Sequence, residues 1–121
     1  MTAPAPSVPD CVFCRIVAGE LPSDVVHRDD HTVAFRDIDP VAPVHVLVVP
    51  TRHVEHAGVL GPDDGELLAA VVASAQRVAA AEGVADSGYR LVFNVGRDAR
   101  NTVGHLHLHV LGGRPFDWPP G

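Results

Sequence analysis

Three histidines recur at every second position in the run Gly104-His-Leu-His-Leu-His-Val-Leu-Gly112. A period of two is that of an extended strand, whose successive side chains point to opposite faces of a sheet. The pattern therefore puts His105, His107 and His109 on one face, and leaves Leu106, Leu108 and Val110 to fill a core from the other. A fold gains little from three imidazoles in a row, because they are polar, titrate near neutrality and repel one another once protonated. Such a row points to chemistry. It suits a catalytic zinc with three His ligands, or a neutral imidazole that attacks an electrophile such as phosphorus while its neighbours hold its tautomer. The plain alternative is three side chains satisfied by backbone or water.

The remaining elements can be read around that strand. Residues 11–18 predict a short helix stopped by Gly19 and Pro22. Residues 24–28 and 32–38 predict a hairpin about Asp29-Asp30-His31, and the β-branched run 44–49 predicts a buried central strand ended by Pro50. One long helix follows. Asp63 and Glu66 resemble a capping box, Leu67, Leu68, Val71, Val72, Ala75, Val78 and Ala79 share one helical face, and Gly83 is the stop. Residues 89–95 predict a further strand. Three strands joined by short turns, then a helix, then two strands describe an α+β class in which one helix covers an antiparallel sheet.

Composition narrows the chemistry. A chain of 121 residues is expected to form one domain, here residues 10–121 behind a flexible Pro/Ala tail over residues 1–9. The formal net charge of −6, without an Arg cluster, argues against a broad nucleic-acid surface but not against a small phosphate-bearing ligand. All nine basic residues are Arg, which excludes lysine Schiff-base chemistry and a Walker-type phosphate loop. No apolar run is long enough to span a bilayer, and the N-terminus does not read as a secretory signal. Two cysteines do not make a secreted disulfide scaffold. The expected setting is the cytoplasm, with no membrane or nucleic-acid partner.

The loop from Asn94 to Gly104 leads directly into the histidine run and is rich in glycine and short polar side chains. Glycine lets backbone N–H groups approach an anion, and Asn or Thr adds donors. Beside the second histidine, this arrangement suits a phosphate; alone it would read as an ordinary hairpin loop.

The His-Leu-His-Leu-His-Val-Leu segment resembles the signature of the histidine triad (HIT) superfamily. The likeness extends through Cys11-Val-Phe-Cys-Arg-Ile-Val-Ala-Gly-Glu-Leu-Pro22, Phe35-Arg-Asp-Ile-Asp-Pro40, Pro43 to Pro50 and Arg52-His53, and the Trp118-Pro-Pro-Gly121 end is similar to the Hint branch. The resemblance implies a five-stranded antiparallel sheet with two helices, and a homodimer whose sheets join into one of ten strands. It implies a purine nucleotide-binding phosphoramidase that releases AMP or GMP from nucleoside phosphoramidates and aminoacyl-adenylate-type substrates.

Position by position, the resemblance makes His107 the nucleophile, flanked by His105 and His109, with His45 orienting them. It assigns Asp37 to the ribose hydroxyls, and Phe13, Ile16, Phe35 and Ile38 to an apolar slot for the base, although these four also read as ordinary core. Asn94, Asn101, Thr102 and Val103 fall on the phosphate side, and Trp118 reaches into the partner's site. Asn101-Thr102 stands where relatives often carry Gln-Ser, and Arg36 is expected beside the ribose site.

Cys11-x-x-Cys14 alone is a weak signal, since two thiols cannot complete a tetrahedral site. The resemblance to zinc-bearing bacterial relatives implies a structural zinc held by Cys11, Cys14, His53 and His105, with no cofactor needed for catalysis. His27, His31 and His56 read as surface residues. The competing functions are a dinucleoside polyphosphate hydrolase, a nucleotide-binding regulatory protein with incidental hydrolysis, and a zinc hydrolase at the triad itself.

Overall fold

A computed structural model describes residues 8–121; most of the expected tail, residues 1–7, lies outside them. The described chain runs α1 (Val12–Val17), β1 (Val25–Arg28), β2 (Thr32–Arg36), β3 (Val44–Pro50), α2 (Gly65–Ala81), β4 (Tyr89–Val92) and β5 (Leu108–Gly112). The five strands form one sheet in the order β1-β2-β3-β5-β4, antiparallel at every pairing. This is the five-stranded antiparallel sheet with two helices that the resemblance implied.

The two faces are set by alternation within the central strands. Val46, Val48, Leu108 and Val110 pack with Ala34 beneath Val71, Ala75 and Val78 of α2. On the other face Val33, Phe35, Leu47 and Val49 pack against Phe13 and Ile16 of α1. His109 is opposite Leu47 in the β3–β5 register, so it emerges on the α1 face. Each fully buried Val or Leu contributes roughly 1.5–3 kcal/mol, and β3, covered on both faces, is the most buried strand. Gly83, at φ +77°, ends α2 as the sequence predicts. At Gly112 a Cβ would come to 3.0 Å from Val84, so a larger residue there would push the segment after α2 away from β5.

Several sequence expectations are corrected. The helix starts differently: residues Pro62–Asp64 form a 3₁₀ turn, and it is the Asp64 carboxylate that accepts the Gly61 N–H at 2.8 Å, not an Asp63–Glu66 box. A proline-led turn shifts the reciprocal bond back by two residues. Leu68 is exposed, because it lies outside the stripe defined by Val71, Ala75 and Val78. The strand expected over 89–95 ends at Val92, where Phe93 and Asn94 turn into the loop. The histidine strand proper begins only at Leu108.

His27 is half-buried, not a surface residue. Its Nε2 lies 2.9 Å from Asp29 Oδ2, at the centre of a polar network. Asp29 also accepts the N–H groups of His31 and Thr32, each at 2.8 Å, and the hydroxyls of Thr32 and the buried Ser74. Burial works to raise the Asp29 carboxyl, but these bonds hold it well below the usual carboxylate range. The network ties the β1–β2 turn to α2. Asp29→Ala leaves buried donors unpaired and is expected to cost about 3 kcal/mol of stability, read by urea denaturation. A group with a depressed folded pKa contributes its stability above its unfolded pKa and loses it as pH falls. The wild-type advantage over Asp29→Ala should therefore be full above pH ~4 and shrink below it. A variant as stable as the wild type at pH 7 would show that the network contributes nothing.

Candidate active site and metal centre

The three histidines stay in one row although only His109 lies on β5. His105, at the end of a bend, and His107 sit in the irregular segment before that strand; both rings meet Phe13, and the rings of His107 and His109 are 5.0 Å apart. Leu106 and Leu108 are buried, as the alternation predicts.

Hydrogen bonds assign each ring's proton. His107 Nδ1 lies 2.7 Å from the carbonyl oxygen of His105. A carbonyl only accepts, so Nδ1 carries the proton and Nε2 keeps a free lone pair. His45 Nδ1 accepts the backbone N–H of Val41 at 3.1 Å, so its proton is on Nε2. That Nε2 donates to His109 Nδ1 at 2.9 Å, which leaves the His109 proton on Nε2. The result is a lone pair on His107 beside an N–H donor on His109.

Burial pushes His109 down to about 4, aided by His107 and His45. Burial also lowers His45, against the opposing effect of Asp37 and Asp39. Both rings are thus neutral at pH 7, as the proton assignment requires. Asp37 Oδ2 lies 3.4 Å from His45 Nε2, and its Oδ1 accepts the Asp39 N–H at 2.8 Å. Asp37, His45 and His109 are close enough to suggest a cation site. However, the His45 atom that would have to bind already carries the proton, so the trio is a hydrogen-bond relay.

The second cluster is different. Cys11, Cys14, His53 and His105 bring one donor atom each to within 4.8 Å of one another. Cys11 caps α1, with its thiol accepting the Cys14 N–H at 3.3 Å. His105 Nε2 donates to the Pro50 carbonyl at 3.0 Å, so its Nδ1 lone pair faces the two thiols, at 3.3 and 3.4 Å. His53 Nδ1 is 3.3 Å from Cys14 Sγ. Zinc bond lengths of ~2.3 Å to sulfur and ~2.1 Å to nitrogen give an S···N edge of about 3.6 Å in a tetrahedron. The donor set and its spacing therefore fit a tetrahedral metal, and the His105–Pro50 bond supplies the outer-sphere partner such a ligand needs. Burial pushes the Cys14 thiol up and lowers His105 to about 4. A cation would offset the cost of a buried thiolate.

Of the residues expected around a base, Phe13, Ile16 and Phe35 are buried in the α1-face core, whereas Ile38 is 100% exposed. Phe13 also meets the triad, with its ring 5.2 Å from that of His107. Asn94 braces the loop by donating Nδ2 to the Ala99 carbonyl at 2.9 Å. Asn101 is half-buried, and its Oδ1 is enclosed without a partner among the described residues. Thr102 and Val103 line a cleft of about 470 Å³ that also meets Cys11 and His53. Trp118 is 82% exposed.

Arg36 does not sit beside Asp37. It is on the α2 side of the sheet, paired with Glu82 and with Asp24 at 3.1 Å, because alternation along β2 turns it away from Phe35. The groups that sequence reasoning missed are backbone ones: the Val41 N–H and the carbonyls of Pro50 and His105. They have no side-chain signal to find.

Residues 18–116 match the family described as HIT domain. An uncharacterized HIT-like protein of Synechocystis sp. is 46% identical over 112 residues, covering 93% of this chain and 97% of its own length. Among solved structures, a HIT family hydrolase from Legionella pneumophila superposes with a TM-score of 0.90 at 48% identity, over 93% of this chain and 100% of that one. A HIT family hydrolase from Clostridium thermocellum gives 0.87 at 40%, over 95% and 98%.

Proposed function

Because this chain belongs to the HIT domain family, and two of the solved structures it resembles are HIT family hydrolases, we propose that it is a purine nucleotide-binding hydrolase of nucleoside 5′-phosphoramidates. Aminoacyl-adenylate-type anhydrides are further substrates of the same chemistry. The observation that carries the reading is the His107 tautomer. With Nδ1 donating to the His105 carbonyl, Nε2 is an uncharged nucleophile that needs no base to free its lone pair.

His107 Nε2 attacks the α-phosphorus, and the P–N bond to the leaving amine breaks as the new P–N bond forms. The leaving nitrogen takes up a proton from solvent, and the water of the second step returns one. Water then cleaves the nucleotidyl-histidine, releasing AMP or GMP and restoring the ring. His109 Nε2–H donates to a phosphoryl oxygen as charge builds there, and His45 holds His109 in the tautomer that can do so. Asp37, an acceptor-only side chain, takes the ribose hydroxyls. By the same reading Phe13, Ile16, Phe35 and Ile38 are assigned to the base slot, the first three buried and Ile38 exposed, and Asn94, Asn101, Thr102 and Val103 to the phosphate side.

We read residues 10–121 as a single HIT domain that works in the cytoplasm as a homodimer. The pairing edge of β4 is free in the sheet order, Leu91 on it is exposed, and Trp118 is available to a partner's site. No helix among the described residues is long and apolar enough to cross a membrane. Zinc would be held by Cys11, Cys14, His53 and His105, a set that does not include His107 or His109. Bound there it cross-links α1 to the sheet and supplies no step of the reaction.

The test is steady-state hydrolysis of adenosine and guanosine 5′-phosphoramidates beside diadenosine tetraphosphate. Release of the monophosphate from the phosphoramidates, with a kcat/KM at least tenfold above that for the polyphosphate, is the expected result. Preference for the polyphosphate would move the chain to the other hydrolase class, and binding of AMP without turnover would make it a nucleotide-binding module.

A further inference from the structure

His105 belongs to two assemblies at once. Its ring faces the thiols of Cys11 and Cys14, while its backbone carbonyl accepts the His107 Nδ1–H that determines the nucleophile's tautomer. Ring and carbonyl belong to one residue and are separated by three torsions (χ2, χ1 and ψ), so a pinned ring narrows the positions open to the acceptor. The ring is 0% exposed and bonded to Pro50 on its far side.

The segment that carries the nucleophile has little other support. β5 pairing begins at Leu108. Before it, the backbone tie is the Leu106 N–H to the carbonyl of Val54, at 2.6 Å, and Val54 follows the cluster member His53. A second line of contact runs through α1. Phe13 lies between the two cysteines, and its ring meets His107 at 5.2 Å and His105 at 6.0 Å. A helix of six residues does not hold itself together, so where Phe13 stands depends on its own packing in the core and on the attachment of α1 through Cys11 and Cys14.

We propose that Cys11, Cys14 and His53 are positioning residues for catalysis: the metal-loaded cluster holds His107 in its reactive tautomer and orientation, through the His105 carbonyl and through Phe13. The proposal rests on the reading of His107 as the nucleophile. It assigns the cluster a role in kcat beyond stabilising the fold.

The test uses full-length zinc-loaded protein, His53→Ala, His53→Cys, which makes another standard zinc set, and Cys11→Ser. Ser74→Ala, in the Asp29 network on the opposite face of the sheet, serves as a control for lost stability. Zinc content, kcat and KM for adenosine 5′-phosphoramidate, and the ¹⁵N spectrum of the His107 ring are measured at temperatures matched to each melting point. His53→Ala is expected to lower kcat roughly 10- to 100-fold with KM changed less than about threefold. The Nε2–H form of His107 should appear at the same time. His53→Cys with zinc should restore both, and Ser74→Ala should change neither. Should His53→Ala fail to fold, Cys11→Ser, at a half-exposed position, carries the comparison. Full kcat with an unaltered His107 spectrum in a zinc-free variant would overturn the proposal, as would an equal loss of kcat in Ser74→Ala. The spectrum also separates the two readings. If the wild type does not turn over the phosphoramidate but its His107 tautomer follows zinc, the coupling stands and the substrate assignment falls.

Discussion

His107→Ala is expected to abolish the proposed phosphoramidate hydrolysis, with kcat falling on the order of 10⁴-fold or more while AMP binding changes little. The expectation follows from where bonds form. In the proposed mechanism His107 contributes the atom that becomes covalently attached to phosphorus, so its loss removes a two-step route and leaves only water attacking a bound substrate. The ring contributes little to ground-state binding, which falls to the ribose, base and phosphate contacts, so KM should stay nearly constant. Stopping the wild-type reaction with alkali within the first turnover should leave a nucleotidyl group on His107, detectable as added mass on the peptide that spans residues 105–109. Two outcomes would sink the assignment. One is residual activity within tenfold of the wild type, and the other is an adduct on His109 or on none of the three histidines. His109→Asn is the useful companion. It removes the Nε2–H donor but keeps the nucleophile, and one lost donor to a developing oxyanion costs roughly 10²- to 10³-fold.

Acidification should weaken the fold well before the carboxylates titrate. His109 is pushed down to about 4 by burial, and burial lowers His45 as well. Unfolded, each would titrate near ~6.5. Between those values the unfolded chain binds more protons than the folded one, so stability rises with pH. The advantage of the neutral folded rings is full above pH ~6.5 and is lost progressively toward pH ~4, at most about 3 kcal/mol for His109. Urea denaturation at intervals from pH 7.5 to 4.5 reads this directly. The wild type should lose stability through the window, and His109→Asn should lose it with a shallower slope by nearly one proton. An unchanged slope in His109→Asn would mean that His109 titrates alike in both states and that its ring is not held neutral by its surroundings.

Much of this fold could be read from local pattern. Strict alternation at residues 105–110 predicted imidazoles and aliphatic side chains on opposite faces, and the structure puts Leu108 and Val110 in the core beneath α2 while His107 and His109 lie on the α1 side. The β-branched run at 44–49 became the central strand because only a segment apolar on both faces tolerates being covered on both. Element boundaries were less legible. The start of α2 depended on a 3₁₀ turn at Pro62, and the end of β4 on where the loop toward Gly96 turns away. His27 looked like a surface residue because nothing local announces a carboxylate network completed by Ser74, which lies 45 positions after Asp29.

What the sequence by itself determined is which groups are present and which way they face: the spacing of His105, His107 and His109, the paired thiols three apart, and the single long amphipathic helix. Periodicity carries that information because facing is a local property of backbone geometry. Only the tertiary structure decided which nitrogen of each ring holds the proton. The Val41 N–H, the His105 carbonyl and the Pro50 carbonyl make that choice. These are backbone groups identical in every residue, and their positions depend on how β3, the 51–56 segment and the approach to β5 come together. The same packing brought Cys11 and Cys14 to His53 and His105, across as many as 94 positions of chain. Proximity at that range is a consequence of the whole sheet and is encoded in no single stretch of it.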